Sequence, residues 1–152
     1  MCIENIRYYF NELGKPRDTQ EINGLELQNI VHLVNGCGGA VVRCLDGVHR
    51  TTTFEEYMRF IINDTSNFGI YQEDRHDCDN FALALWGGLN KNPYWSGLAL
   101  GYCEGHIPNA HAGHAYNVFV TNDGEVYFVE PQTDMIYHNN YGHYRLTTAW
   151  FS

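Results

Sequence analysis

The stretch Asp77-Cys78-Asp79-Asn80-Phe81-Ala82-Leu83-Ala84-Leu85-Trp86 decides how the rest of the chain is read. From Gln72 to Asn80 the residues are polar or charged; from Phe81 they turn abruptly apolar. The change predicts a helix that starts near Cys78, is apolar nearly all round, and ends at Gly87-Gly88, hence a central, buried helix. A thiol then stands in the helix's first turn. The unpaired N–H groups and the dipole there favour a thiolate and can hold a developing oxyanion. Asp77 or Asp79 is the candidate cap. Asp74, Asp77 and Asp79 act in the opposite sense, because nearby negative charge raises a thiol's pKa. An imidazolium or a bound cation must offset them. The competing reading is a structural cysteine behind an aspartate cap.

Upstream, the pattern is helical. Ile3, Ile6 and Phe10 begin one amphipathic segment that ends near Gly14 and Pro16, and Leu25 to Val34 forms a second, stopped by Asn35-Gly36. Thr53 followed by Glu56 is a capping-box signature, and Phe54, Tyr57, Met58, Ile61 and Ile62 recur at helical spacing up to Asn63-Asp64. Downstream, the pattern is that of strands, over residues 97–103, 114–121, 125–130, 135–138 and 145–151. Helices first and strands afterwards predict an α+β fold, in which N-terminal helices and the helix bearing Cys78 pack on a C-terminal antiparallel sheet. No repeat or linker interrupts residues 1–152, which read as a single domain.

The segment His114-Ala115-Tyr116-Asn117-Val118-Phe119-Val120-Thr121 leads through Asn122-Asp123-Gly124 into Glu125-Val126-Tyr127-Phe128-Val129-Glu130-Pro131-Gln132. A two-residue Asp123-Gly124 turn would pair Val120 with Tyr127. A three-residue loop with Gly124 left-handed would pair Val120 with Val126. Only the second keeps Tyr116, Val118, Val120, Val126 and Phe128 on one face, and register follows the buried face. His114 then lies opposite Gln132 and on the face of Glu130. A histidine beside a carboxylate and an amide has its tautomer fixed and its imidazolium supported.

The chain has 152 residues, 44% hydrophobic and 14% aromatic, enough for one globular core. Its formal net charge of -9 leaves no basic stripe for a nucleic-acid backbone. No apolar run reaches the roughly 18 residues of a membrane span. The N-terminus shows no basic and apolar leader, and the cysteines at 2, 37, 44, 78 and 103 are odd in number and scattered. Reduced thiols and a cytoplasmic location, in a host such as a phage-infected bacterium, are the expectation.

The order D-C-D-N-F-A at 77–82, G-H-A-Y-N at 113–117 and V-E-P-Q-T-D at 129–134 resembles the family of papain-like C-terminal domains typified by the Marasmius oreades agglutinin, with bacterial and phage relatives. The resemblance covers roughly residues 65 to 140. It implies a cysteine protease acting on a protein or peptide through a thioester acyl-enzyme, with Cys78 as nucleophile, His114 as base and Glu130 as the group orienting the base. It also implies calcium dependence, for which Asp77 and Asp79 are the candidate ligands. Papain-like enzymes in general place a glutamine ahead of the nucleophile; Gln72 has that spacing, and Gln132 is a further supporting residue.

Two rival functions stay open. Cys78, Cys103, His76, His106, His111 and His114 could supply zinc ligands, although their spacing matches no common zinc pattern. A catalytically inactive binding module could use the aromatics and histidines between Cys78 and His114, namely Tyr94, Trp95, Tyr102, His106 and His111, to line a recognition cleft.

Overall fold

The computed structural model describes residues 13–106, 113–139 and 145–152. The expected segment from Ile3 to Phe10 lies outside them. Eight strands run through the described residues: β1 (Gln20–Asn23), β2 (Val41–Cys44), β3 (Val48–Thr51), β4 (Leu100–His106), β5 (Gly113–Val120), β6 (Val126–Glu130), β7 (Met135–His138) and β8 (Arg145–Phe151). Three α-helices accompany them: α1 (Gly24–Leu33), α2 (Phe54–Asn63) and α3 (Cys78–Lys91). Six strands form one sheet in the order β2-β8-β4-β5-β6-β7, and β1 pairs with β3 in a separate two-stranded sheet.

The α+β expectation of helices first and an antiparallel sheet afterwards is therefore corrected to a sheet-dominated fold. Three strands stand in the half read as helical, and β2 pairs with β8 in parallel. These strands are four residues long. A segment such as Gln20-Glu21-Ile22-Asn23 carries one apolar residue, too few to show a period of two. Its pairing partner β3 fixes it instead.

Helices α1 and α2 form for the local reasons their sequences give. Asn23 Oδ1 accepts from the Glu26 N–H at 2.9 Å, and Thr53 Oγ1 accepts from the Glu56 N–H at 3.4 Å, each satisfying a donor that the first helical turn leaves open. The expectation that α3 is buried all round is corrected. Leu83 is exposed, and the buried positions Phe81, Ala82, Leu85 and Leu89 fall on one stripe. Gly87-Gly88 does not stop this helix either. A Cβ on Gly88 would come within 2.8 Å of Asp64 Oδ1, so that glycine allows close packing inside a helix that continues to Lys91.

The central strands are covered on both faces, as their continuous apolar runs require. On one face, Leu27 and Val31 of α1 pack with Cys103, Tyr116, Val118, Val126, Phe128 and Phe151. On the other, Tyr57, Phe60 and Ile61 of α2 and Leu85 and Leu89 of α3 pack with Trp95, Leu100, Phe119 and Val129. Alternation along β5 thus divides Tyr116, Val118 and Val120 from Ala115 and Phe119. The hairpin has the expected register, with Val120 opposite Val126 and Gly124 left-handed at φ 78°.

Glu56 is the one buried carboxylate of α2, at 5% relative exposure. It binds Arg59 Nη2 at 2.6 Å and Arg17 Nε at 3.1 Å. Burial pushes its pKa up, but the bonds from Arg59 and Arg17 outweigh that and the net shift is downward. A depressed carboxylate contributes stability above its unfolded value, about 4.3, and loses it as the pH falls through the folded value. Glu56→Gln should therefore cost about 1–2 kcal/mol at pH 7, and the gap between variant and wild type should close on acidification below about pH 4. Chemical denaturation at pH 7 and pH 3 reads both; a gap that stays constant would remove the ion pairs from the account.

Candidate functional site

The N-terminus of α3 is fixed by a capping box. Asp77 is the N-cap, and its N–H donates to Asn80 Oδ1 at 3.2 Å. The preceding loop folds back on itself, with Gln72 N–H donating to the His76 carbonyl at 2.8 Å. The His76 ring stacks on Phe81 with centroids 4.6 Å apart. Gly69 lies against that ring so closely that a Cβ would meet His76 Nε2 at 2.2 Å. The loop is thus clamped onto the first turn of α3, which presents Cys78 at a set position.

Cys78 is half-buried beside Ala82, Tyr102 and Ala115. Its Sγ accepts from the Ala115 N–H at 3.5 Å. One residue earlier on β5, His114 Nε2 lies 2.6 Å from Glu130 Oε2, both side chains being mostly buried. With the Nε2 proton donated to that carboxylate, Nδ1 carries the ring's lone pair. The Tyr116 ring stacks beside His114 at 5.9 Å. Glu130 Oε1 also accepts from the Gln132 N–H at 3.4 Å, so Gln132 supports the carboxylate through its backbone.

Cys78 and His114 line one cleft of about 290 Å³, together with Asp79, Tyr102, Glu104, His106 and Thr147. The structure brings Cys78, His114 and Glu130 to this end of the sheet. Gln72 does not line the cleft; it serves the loop through its backbone. Asp79 lines the cleft and Asp77 precedes it as the cap of α3; the Asp77 carboxyl beside it, together with burial, pushes the Asp79 carboxyl up. Two neighbouring carboxylates repel one another, and a cation between them would relieve that repulsion.

The zinc reading is not supported by side-chain positions. Among the described residues no three His, Cys, Asp or Glu side chains converge as a metal-ligating group. Cys103 is enclosed in the core on the α1 side, its Sγ donating to the Tyr116 carbonyl at 3.2 Å. His111 lies outside the described residues. Of the aromatics expected to line a cleft, Tyr102 and His106 do so. Trp95 is fully buried and donates from Nε1 to the Gly14 carbonyl at 2.8 Å.

Asn117 went unread in the sequence. It is fully buried, and its Nδ2 donates to the carbonyls of Ala82 in α3 at 2.9 Å and Gly101 in β4 at 3.2 Å. It ties the helix of Cys78 to the strands of Ala115 and Tyr102. A lone amide inside the apolar run Val118-Phe119-Val120 and Ala115-Tyr116 was the available signal. Glu104 and Thr147 carry no such signal, because exposed polar residues in strands are ordinary.

The model of the ricin-type β-trefoil lectin C-terminal domain family matches residues 40–148. A comparison with curated protein sequences gave no match. Two solved structures share the fold. One is described as a PSL1a-E64 complex, with a TM-score of 0.71 and 22% identity over 86% of this chain and 51% of that one. The other is Polyporus squamosus lectin bound to the human-type influenza-binding epitope Neu5Aca2-6Galb1-4GlcNAc, with a TM-score of 0.70 and 21% identity over 86% of this chain and 49% of that one. This chain spans about half the length of each.

These matches correct the resemblance drawn from the motifs. Their descriptions name a lectin family and a lectin, not a papain-like hydrolase, and the fold they share with this chain is the sheet-dominated one described above. The expectations that hung on the papain-like resemblance fall with it: a cysteine protease, a thioester acyl-enzyme and a peptide or protein substrate.

Proposed function

The chain belongs to the family of ricin-type β-trefoil lectin C-terminal domains, and on that premise we propose that it is a binding module of a lectin-type protein. Its ligand, a saccharide in the first instance, sits in the cleft lined by Cys78 and His114. The observation that carries this reading is the make-up of that cleft. Tyr102 and Thr147 offer hydroxyls, Asp79 and Glu104 offer carboxylates, and the Tyr102 ring and the imidazoles of His106 and His114 offer ring faces. Hydroxyl-rich ligands are held by such a mixture of acceptors, donors and ring faces. The trisaccharide bound by the Polyporus lectin and its desialylated disaccharide are the starting probes. Titration into isotopically labelled protein should shift the amide signals of Ala115, Glu104 and Gly105 together. Shifts confined to surfaces away from β4 and β5, or none at millimolar saccharide, would remove the cleft as the binding site.

The arrangement at Cys78 favours a second reading, in which the cleft takes ligands through the thiol. The sulfur sits at a helix N-terminus and receives the Ala115 N–H, and an imidazole tied to Glu130 shares the cleft. Those are the surroundings of a reactive cysteine. E64, described in complex with PSL1a, is the natural probe for it.

Calcium is part of this proposal at the Asp77–Asp79 pair. A calcium ion there would relieve the repulsion between the two carboxylates and complete its shell with backbone oxygens and water. With two carboxyls from the described side chains, one already engaged in the capping box, affinity should fall in the millimolar class. Ten millimolar calcium should then add about 1 kcal/mol of stability, a few degrees in Tm. It should also quicken alkylation of Cys78 by removing negative field. Melting curves that coincide with and without a chelator would remove calcium from the account.

A further inference from the structure

We infer that the cleft beside Cys78 selects positively charged over negatively charged ligand groups, and that Glu104 sets the preference. The inference deepens the proposed function and rests on this cleft being where ligands sit.

Glu104 is exposed on β4 and lines the cleft. Its carboxylate is held from both sides. Tyr102 Oη donates to Oε1 at 2.8 Å and Thr148 Oγ1 donates to Oε2 at 3.4 Å. Thr147 Oγ1 donates to the Glu104 carbonyl at 2.9 Å, which pins the backbone as well. Burial and the Glu104 carboxylate itself push the Tyr102 hydroxyl up, so that hydroxyl remains a donor at every physiological pH. Hydroxyls orient the carboxylate without neutralising it, and among the described residues Glu104 has no ion-pair partner. Arg145 stands across from His106 on β8, and among the described ion pairs it makes none with Glu104.

The other charges of the cleft reinforce this one. Asp79 lines it and Asp77 adjoins Asp79. The imidazoles of His106 and His114 are its basic groups among the described residues, and His114 already faces Glu130. An ammonium or guanidinium entering the cleft meets a preoriented, unneutralised carboxylate. A carboxylate entering it meets like charge in a partly desolvated space, where such repulsion is stronger than in bulk water. The sialylated trisaccharide of the Polyporus lectin should accordingly bind this cleft less well than its neutral or amino-sugar counterparts.

Three alkylating agents of different charge read the field directly: 2-bromoethylamine, iodoacetamide and iodoacetate. Each forms an S–C bond at a thiolate as halide leaves. Rates at Cys78 would be followed by peptide mass mapping at low salt and normalised to a small free thiol. The cationic agent should outrun the anionic one by about tenfold after normalisation. Glu104→Gln should cut that ratio to about threefold or less, Glu104→Asp should restore most of it, and high salt should compress it. An equal ratio in wild type and Glu104→Gln, or a preference for iodoacetate, would overturn the inference. Failure of all three agents to modify Cys78 in the folded protein is a different result, and it would remove the thiol-bearing cleft itself.

Discussion

Phe119→Ala should destabilise the protein by about 3–5 kcal/mol, the cost of removing a large aromatic from a packed core. Phe119 is fully buried, stacked 4.4 Å from Tyr57 of α2 and 5.0 Å from Tyr127 of β6, and it also touches Phe54. It is where the helical layer meets the middle of the sheet, so the cavity cannot close without moving α2. The three rings lose their offset contacts as well as the buried area. Denaturant unfolding of the variant reads the loss, with Phe119→Leu as the milder comparison. A change below about 1 kcal/mol would mean that α2 is not packed on β5 as described.

Cys78 should be the first of the internal cysteines to be alkylated at neutral pH, ahead of Cys37 and Cys103 by at least about a hundredfold. Cys103 is enclosed, and burial pushes its thiol well up; burial also pushes Cys37 up, to about 11. A thiol reacts as its thiolate, so a group raised to about 11 is almost wholly protonated at pH 7. Cys44, half-buried and also raised by burial, should fall between. His114→Ala should slow Cys78 about tenfold and leave Cys44 unchanged, because only the first thiol shares a cleft with that imidazole. Equal rates at Cys78 and Cys44, both insensitive to His114, would reduce Cys78 to a structural residue.

The parts of this fold that were legible in the sequence are those specified by neighbours along the chain. Thr53 and Glu56 announce α2, because a cap and the helix it starts lie within one turn. The β5–β6 register follows from Gly124 and the alternation of Val118, Val120, Val126 and Phe128, because a tight loop leaves little choice of pairing. The short strands β1 to β3 were illegible for the opposite reason. Each has four residues and pairs with a strand that does not follow it directly in the chain: β1 with β3, and β2 with β8 more than a hundred positions later. Gly88 misled because a glycine that admits a neighbouring side chain looks the same in sequence as one that ends a helix.

The site divides in the same way. Cys78 stands out because composition changes sharply at a helix start, and the His114–Glu130 contact follows from the hairpin register. The rest of the cleft comes from β4 and β8, whose Glu104 and Thr147 look like ordinary surface positions until the strands pair. The motifs also suggested more than they could carry. Three short segments in the right order led to a papain-like hydrolase, whereas the match over residues 40–148 and the shared fold lead to a lectin family. Local chemistry around a thiol is compatible with several functions, and the positions of Cys78, His114 and Glu130 do not choose among them alone.

Protection of Cys78 tests the central claim, that ligands occupy this cleft, most directly. The protein would be incubated with E64 or with the neutral disaccharide at rising concentration and then pulsed with iodoacetamide, and Cys78 and Cys44 would be quantified by peptide mass mapping. The account predicts that at least one of the two ligands slows modification of Cys78 in a saturable way while Cys44 reacts at its former rate. Unchanged labelling of Cys78 under ligand concentrations that demonstrably bind the protein would contradict it and place the binding site elsewhere.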